Sequence, residues 1–114
     1  MTLEECYHRL GGDYADVLGR LGTRERVRRY LLLLPQDDSI PRLTIAWQGG
    51  NMSSAHQAAH TLRGLALTLG LTQLAAASAV LADALQDGHP ADVPFSALLD
   101  TWQQTIDTIA YISD

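Results

Sequence analysis

The stretch AAHTLRGLALTLG, residues 58–70, carries the most chemistry in the chain, because His60, Arg63 and Gly64 interrupt an otherwise apolar run. A histidine side chain, with an ordinary pKa of ~6.5, is largely neutral and nucleophilic near pH 7. Arg63 follows one helical turn later, where its planar guanidinium can meet negative charge developing near the ring. Gly64 is a local cost, since glycine weakens a helix interior by roughly 1 kcal/mol relative to alanine. A second histidine, His56, lies four residues before His60, a spacing at which two imidazoles can share one ion. A closed metal site needs further ligands, and His8 and His89 belong to other segments, so no metal site is expected. No glycine-rich nucleotide loop and no paired metal carboxylates accompany His60 in the sequence, so phosphorylation from ATP is not expected either. Cys6 is the single cysteine. It has no partner for an internal disulfide, and a reducing cytoplasm is the expected compartment.

The elements that position these residues read as helices. The composition is 46% hydrophobic and 6% aromatic, rich in Leu and Ala, which favours helix over a β-sandwich. Thr2 can cap a short helix to Leu10, stopped by Gly11 and Gly12. Asp13 can cap a second to Leu21, closed by Gly22. Thr23 caps RERVRRYLLLL, ended by Pro35, and PQDDS forms a turn. Pro41 fits the first turn of a helix that stops at Gly49 and Gly50. Asn51 is the expected N-cap of a helix from Met52 to about Leu69, with Ser54 and Gln57 as a second capping box and Gly70 just past the end. Thr72 opens the next helix, whose seam is Leu71, Leu74, Ser78, Leu81 and Leu85. The last is expected from about Pro94 to Ile112, with Phe95, Leu98, Trp102, Ile106 and Ile109 on one stripe. The pattern predicts an all-α fold: an antiparallel up-down four-helix bundle with one or two short additional helices at the N-terminus, in a single domain, 1–114.

A helical wheel at ~100° per residue separates the Met52–Leu69 helix into two faces. Ala55, Ala58, Leu62, Leu65, Ala66 and Leu69 fall within roughly ±60° of the point opposite His60 and form the core stripe. The His60 face carries Ser53, His56, Gln57, Thr61, Arg63, Gly64, Leu67 and Thr68. Nothing on an exposed face requires a small residue, so Gly64 fits best if another body approaches the backbone there.

These residues resemble the signature of the histidine phosphotransfer (HPt) family, written H-x-L-K-G-x-A with a glycine after the helix. His60, Leu62, Gly64, Ala66 and Gly70 stand at the matching positions. GGDYADVLGRLG, LLLLPQDDS, the GN before the central helix and LTQLAAASAVLADAL extend the similarity to small, stand-alone bacterial members. The resemblance implies a four-helix bundle whose His60 is the phosphoacceptor, taking a phosphoryl group from a receiver aspartate and passing it to another receiver. It implies Arg63 as the phosphate-stabilising cation, and Ser53, His56, Gln57, Thr61, Gly64 and Leu67 as the surface that docks the partner. It implies receiver domains of response regulators as partners, those of hybrid sensor histidine kinases included. No intrinsic cofactor is expected, with Mg²⁺ carried by the receiver, and the chain is expected to be a monomeric phosphocarrier without autokinase activity. Three departures stand out, the first that many members have a small hydroxyl residue just after the glycine, where this chain has Leu65. The family usually has lysine at position 63, and some members place a glutamine on the next helix to hold the histidine ring. Around Ala82 this chain offers Asp83 or a backbone carbonyl instead.

The alternative reading is a non-phosphorylated scaffold or sequestering partner on the same fold. Nucleic-acid binding through RERVRR is disfavoured, because the net charge is −5 and the arginine stems can cover apolar surface. All eight basic residues are arginine. The longest apolar run, Leu31–Leu34, is far short of the ~20 residues a membrane span needs. The N-terminus also lacks the apolar core of a signal peptide, so a soluble, cytoplasmic chain is expected.

Overall fold

The computed structural model describes residues 1–113, and among them every regular element is a helix. The helices are α1 (Leu3–Arg9), α2 (Tyr14–Leu21), α3 (Arg24–Leu33), α4 (Ser39–Gln48), α5 (Met52–Thr68), α6 (Thr72–Asp87) and α7 (Asp92–Ile109), with one 3₁₀ turn at Leu34–Gln36. Helices α4 to α7 pack as consecutive antiparallel neighbours and form the bundle, with α5 and α6 the most closely packed pair. The short helices α1 to α3 precede it.

The starts are set by side-chain caps that satisfy free N–H groups of the first turn. The Thr2 hydroxyl accepts from the Glu5 N–H, Asp13 from Asp16, Thr23 from Arg26 and Asn51 from Ser54, all at 3.0–3.2 Å. Asn51 caps α5 by itself. The second box expected from Ser54 and Gln57 is not formed, because Ser54 lies inside the first turn and gives its N–H to Asn51.

Two boundaries differ from the sequence expectation. Helix α7 begins at Asp92, two residues before Pro94, because the first turn has no use for the N–H that proline lacks. It ends at Ile109, and the chain tightens into Tyr111 N–H to Thr108 and Ile112 N–H to Ile109 bonds, both 3.1 Å. Helix α3 ends at Leu33 rather than Leu34, and Pro35 sits inside the 3₁₀ turn, closed by Asp37 N–H to Leu34 O at 2.9 Å.

The core is aliphatic. Leu31, Leu43, Leu62, Leu74, Leu81, Leu98 and Ile109 are buried, with Ala55, Ala58, Ala59, Ala66, Ala75 and Ala82 bringing the α5 and α6 backbones close together. The buried Ser78 hydroxyl, on the expected α6 seam, is satisfied by the Leu74 carbonyl at 2.8 Å. Trp47 of α4 stacks on Phe95 of α7, centroids 4.3 Å apart and planes 8° from parallel, closing the bundle edge.

The N-terminal helices serve the far end of α5. Gly70, at φ +68°, makes the left-handed turn that ends this helix. Leu71 N–H bonds Ala66 O at 2.9 Å and Gly70 N–H bonds Leu67 O at 3.2 Å, the pattern of a Schellman cap. The remaining carbonyls are taken from α1 and α2. Tyr7 Oη donates to Leu69 O at 2.6 Å, Arg20 Nε to Thr68 O at 3.1 Å, and the Asp13 N–H to Gly70 O at 2.9 Å. The backbones nearly touch: a Cβ on Gly12 would lie 2.7 Å from Gly70 O, and one on Gly70 would lie 2.7 Å from Asp13 O. The arginine also reaches Leu67 O at 2.8 Å and is steadied by Asp16 at 2.7 Å.

Candidate functional site

Helix α5 is the middle of the bundle, flanked by α4 and α6. Its buried positions are Ala55, Ala58, Ala59, Leu62 and Ala66, with Leu69 buried at its cap and Leu65 half-buried. Ala59 lies outside the stripe drawn on the wheel. It is a small residue at the margin, covered because the alanine-rich faces of α5 and α6 approach closely.

On the opposite side His60 is exposed, together with Ser53, Gln57, Thr61, Arg63, Gly64, Leu67 and Thr68. Among the described residues no protein group hydrogen-bonds the His60 ring. Its neighbour is the ring of His56, with centroids 6.2 Å apart and planes within 19°. Arg63 is exposed and makes no hydrogen bond or ion pair among the described residues. By contrast Arg20, Arg24 and Arg42 are held by Asp16, Glu4 and Asp38 at 2.7–2.8 Å. Arg63 is a cation available to an incoming anion one turn from the imidazole.

Gly64 has open space around it: a Cβ built there meets no neighbouring atom within 4 Å. Nothing within the fold explains the glycine. One turn further on, Leu67 is 49% exposed. On the α4 side His60 borders a groove of about 840 Å³ lined by Asp38, Arg42 and Ile45 of α4 and by Gln57 and Thr61 of α5. Ile45 is 70% exposed there. The sequence reading did not single out this residue. A wheel of α4 with Leu43 and Ala46 turned inward would have placed it outside.

His56 departs from the exposed face on which the wheel set it. The ring is half-buried, and its Nδ1 lies 2.9 Å from the Ala82 carbonyl of α6. The expectation that Asp83 or a backbone carbonyl orients His60 is therefore corrected. The carbonyl is present, but it holds His56, which sits about 40° round the helix toward α6. Asp83 is exposed and makes no hydrogen bond to His60.

The other candidates are accounted for within the fold. In the basic run, Arg24 pairs with Glu4, Arg26 donates to Leu21 O at 3.4 Å, and Arg29 lies over the Tyr30 ring at 5.2 Å. Cys6 is fully buried, and burial pushes its thiol up to about 11. Among the described residues no three His, Cys, Asp or Glu side chains gather as metal ligands. No helix among them is long and apolar enough to cross a membrane.

An exposed imidazole in mid-helix, a guanidinium one turn on and a bare glycine beside them share one surface of the bundle. A family model of the Hpt domain matches residues 31–110, more than two-thirds of the chain. The chain belongs to this family. Hpt domains are phosphocarriers that interact with receiver domains in two-component signalling. No curated protein and no solved structure matched the chain.

Proposed function

We propose that the whole chain, 1–114, acts as one phosphocarrier domain, with His60 as the phosphoacceptor. A receiver carrying an aspartyl phosphate approaches the His60 face. The Nε2 lone pair of His60 attacks phosphorus, and the electrons of the breaking P–O bond return to the aspartate carboxylate. The phosphorylated ring then donates to a second receiver aspartate by the reverse step. Arg63 meets the charge spread over the transferring oxygens, where positioning and electrostatics supply most of the catalysis. The Mg²⁺ that such a transfer uses belongs to the receiver. Gly64 and Leu67 form the close-approach surface with Ser53, His56, Gln57 and Thr61 around it.

The observation that carries this reading is the exposure of an unpartnered His60 on a helix whose other face packs into the core. A histidine serving packing would be turned the other way or tied to a partner, as His56 is.

The test is phosphotransfer profiling against the receivers encoded in the same genome. Each receiver is loaded with labelled phosphate and mixed with wild type or His60→Gln. Label should leave at least one receiver for the wild-type chain, with none reaching the variant. If wild type removes label from no receiver, the carrier reading fails and the scaffold alternative takes its place.

A further inference from the structure

His56 is an imidazole fixed at one edge and open at the other. A backbone carbonyl only accepts, so the contact with Ala82 O requires the hydrogen on Nδ1. That leaves Nε2 as the free ring nitrogen. It has no protein partner among the described residues, and none of their buried side-chain polar atoms is left unsatisfied, so Nε2 reaches solvent. A purely structural residue at this helix seam would be better made apolar, because a half-covered imidazole costs desolvation.

The placement around His60 is directional. At ~100° per residue, His56 and Arg63 lie roughly 40° and 60° to the same side of His60, one turn before it and one turn after. Gln57 and Gly64 lie on the other side, toward the α4 groove. The site is thus divided, with His56 and Arg63 along the α6 flank and Gln57 and Gly64 along the α4 flank. The charged groups on the elements packed against His56 are His60 and Arg63 on α5 and Asp83 and Asp87 on α6. Arg42 and Asp38 of α4 neutralise each other at 2.7 Å on the opposite flank.

We propose that His56 is a phosphoryl-binding residue: held by Ala82, it presents Nε2–H as an imidazolium to an oxygen of the phosphoryl group carried on His60. The proposal rests on the reading of His60 as acceptor. The two rings are neighbours on one face of α5, with centroids 6.2 Å apart. The group brings close to two negative charges, which favour the doubly protonated ring, with the second proton drawn from solvent. His56, one turn before His60, and Arg63, one turn after it, then hold the phosphoryl group from its two sides along the helix. The fixed backbone contact supplies in this chain an anchored nitrogen donor that position 82, an alanine, cannot supply with its side chain.

The experiment loads the intact chain with phosphoramidate, a small donor that needs no receiver, and follows the histidine ring nitrogens by ¹⁵N NMR at one fixed near-neutral pH. On phosphorylation of His60, the His56 Nε2 signal should move from the unprotonated to the protonated position, while Nδ1 stays protonated throughout. The ³¹P signal of the phosphohistidine should differ between wild type and His56→Gln, and its half-life should fall about fivefold in the variant, about 1 kcal/mol in barrier. An unmoved His56 Nε2 in a chain labelled on His60 overturns this proposal and leaves the carrier reading intact. Label on His56 itself also overturns it, because the ring is then an acceptor. A wild-type chain that takes no label on His60 overturns both.

Discussion

Gly64→Ala separates the needs of the fold from those of a partner. Inside the fold the substitution is free, since the added Cβ meets nothing within 4 Å. Replacing a glycine in a helix interior by alanine stabilises it by ~0.8–1.0 kcal/mol. For 114 residues, at ~2.1 cal/mol/K per residue, the unfolding entropy is ~0.24 kcal/mol/K, so Tm should rise by about 3–4 °C. Against a receiver the sign reverses. An extra methyl pressed into a close-packed contact costs about 1–3 kcal/mol, or about fivefold to 150-fold in kcat/KM for transfer. Phosphoramidate, too small to touch position 64 while reaching His60, should load variant and wild type at the same rate. The assay pairs thermal melts with transfer kinetics from a cognate phosphorylated receiver. A variant that melts lower than wild type would show that the glycine serves the fold. One that melts higher and exchanges phosphate with every receiver at the wild-type rate would refute the clearance argument.

Arg63→Ala should slow transfer by about tenfold to 100-fold, the range for a lost hydrogen bond to a charged group, with stability unchanged within about 0.5 kcal/mol in urea melts; Arg63→Lys should retain most of the rate. Tyr7→Phe should destabilise by about 1–3 kcal/mol, because it leaves the buried Leu69 carbonyl without its 2.6 Å donor, and urea denaturation measures this directly. Cys6 should resist thiol reagents in the native state and react in denaturant. Its folded value, near 11, lies above its ordinary 9.0, so its contribution is complete below about pH 9 and is lost as pH rises toward 11. Cys6→Ala should flatten that alkaline decline in melts taken against pH. The Arg20 guanidinium holds the Asp16 carboxyl below its ordinary range, so the pair contributes above the ordinary aspartate value and is lost as pH falls through the lowered one. Asp16→Asn should shallow the acid limb of the same profile.

The local parts of this fold were written plainly in the sequence. Thr2, Asp13, Thr23 and Asn51 each cap where a capping residue precedes an apolar run, and Gly70 ends α5 with the left-handed turn it alone tolerates cheaply. The wheel separated His60 from Leu62 and Ala66 because a single helix has one period and one core. What escaped it depends on neighbours. Ala59 is buried by the approach of α6, and His56 is tied down by a carbonyl whose side chain, Ala82, carries no polar signal. The roles of Tyr7 and Arg20 depend on contacts to residues more than forty positions away, and no periodicity encodes those. Proline is tolerated anywhere in the first turn, so Pro94 marks the start of α7 only to within a turn, and it stands third.

The stretch that the family model matches starts at Leu31, inside α3, and omits Tyr7, Asp13 and Arg20, which bond the carbonyls at the end of α5. A chain trimmed to that stretch would keep His60, Arg63 and Gly64 but would leave the Thr68, Leu69 and Gly70 carbonyls to find water. Two of those residues are buried. The segment that the family model matches and the segment that caps α5 are therefore different stretches of the polypeptide. Backbone amides in the last turn of α5 should exchange with solvent only when α1 and α2 lift away, as one cooperative opening instead of a fraying end. Grafting this Hpt domain onto another protein with the end of α5 still capped would require the thirty residues before Leu31 as well.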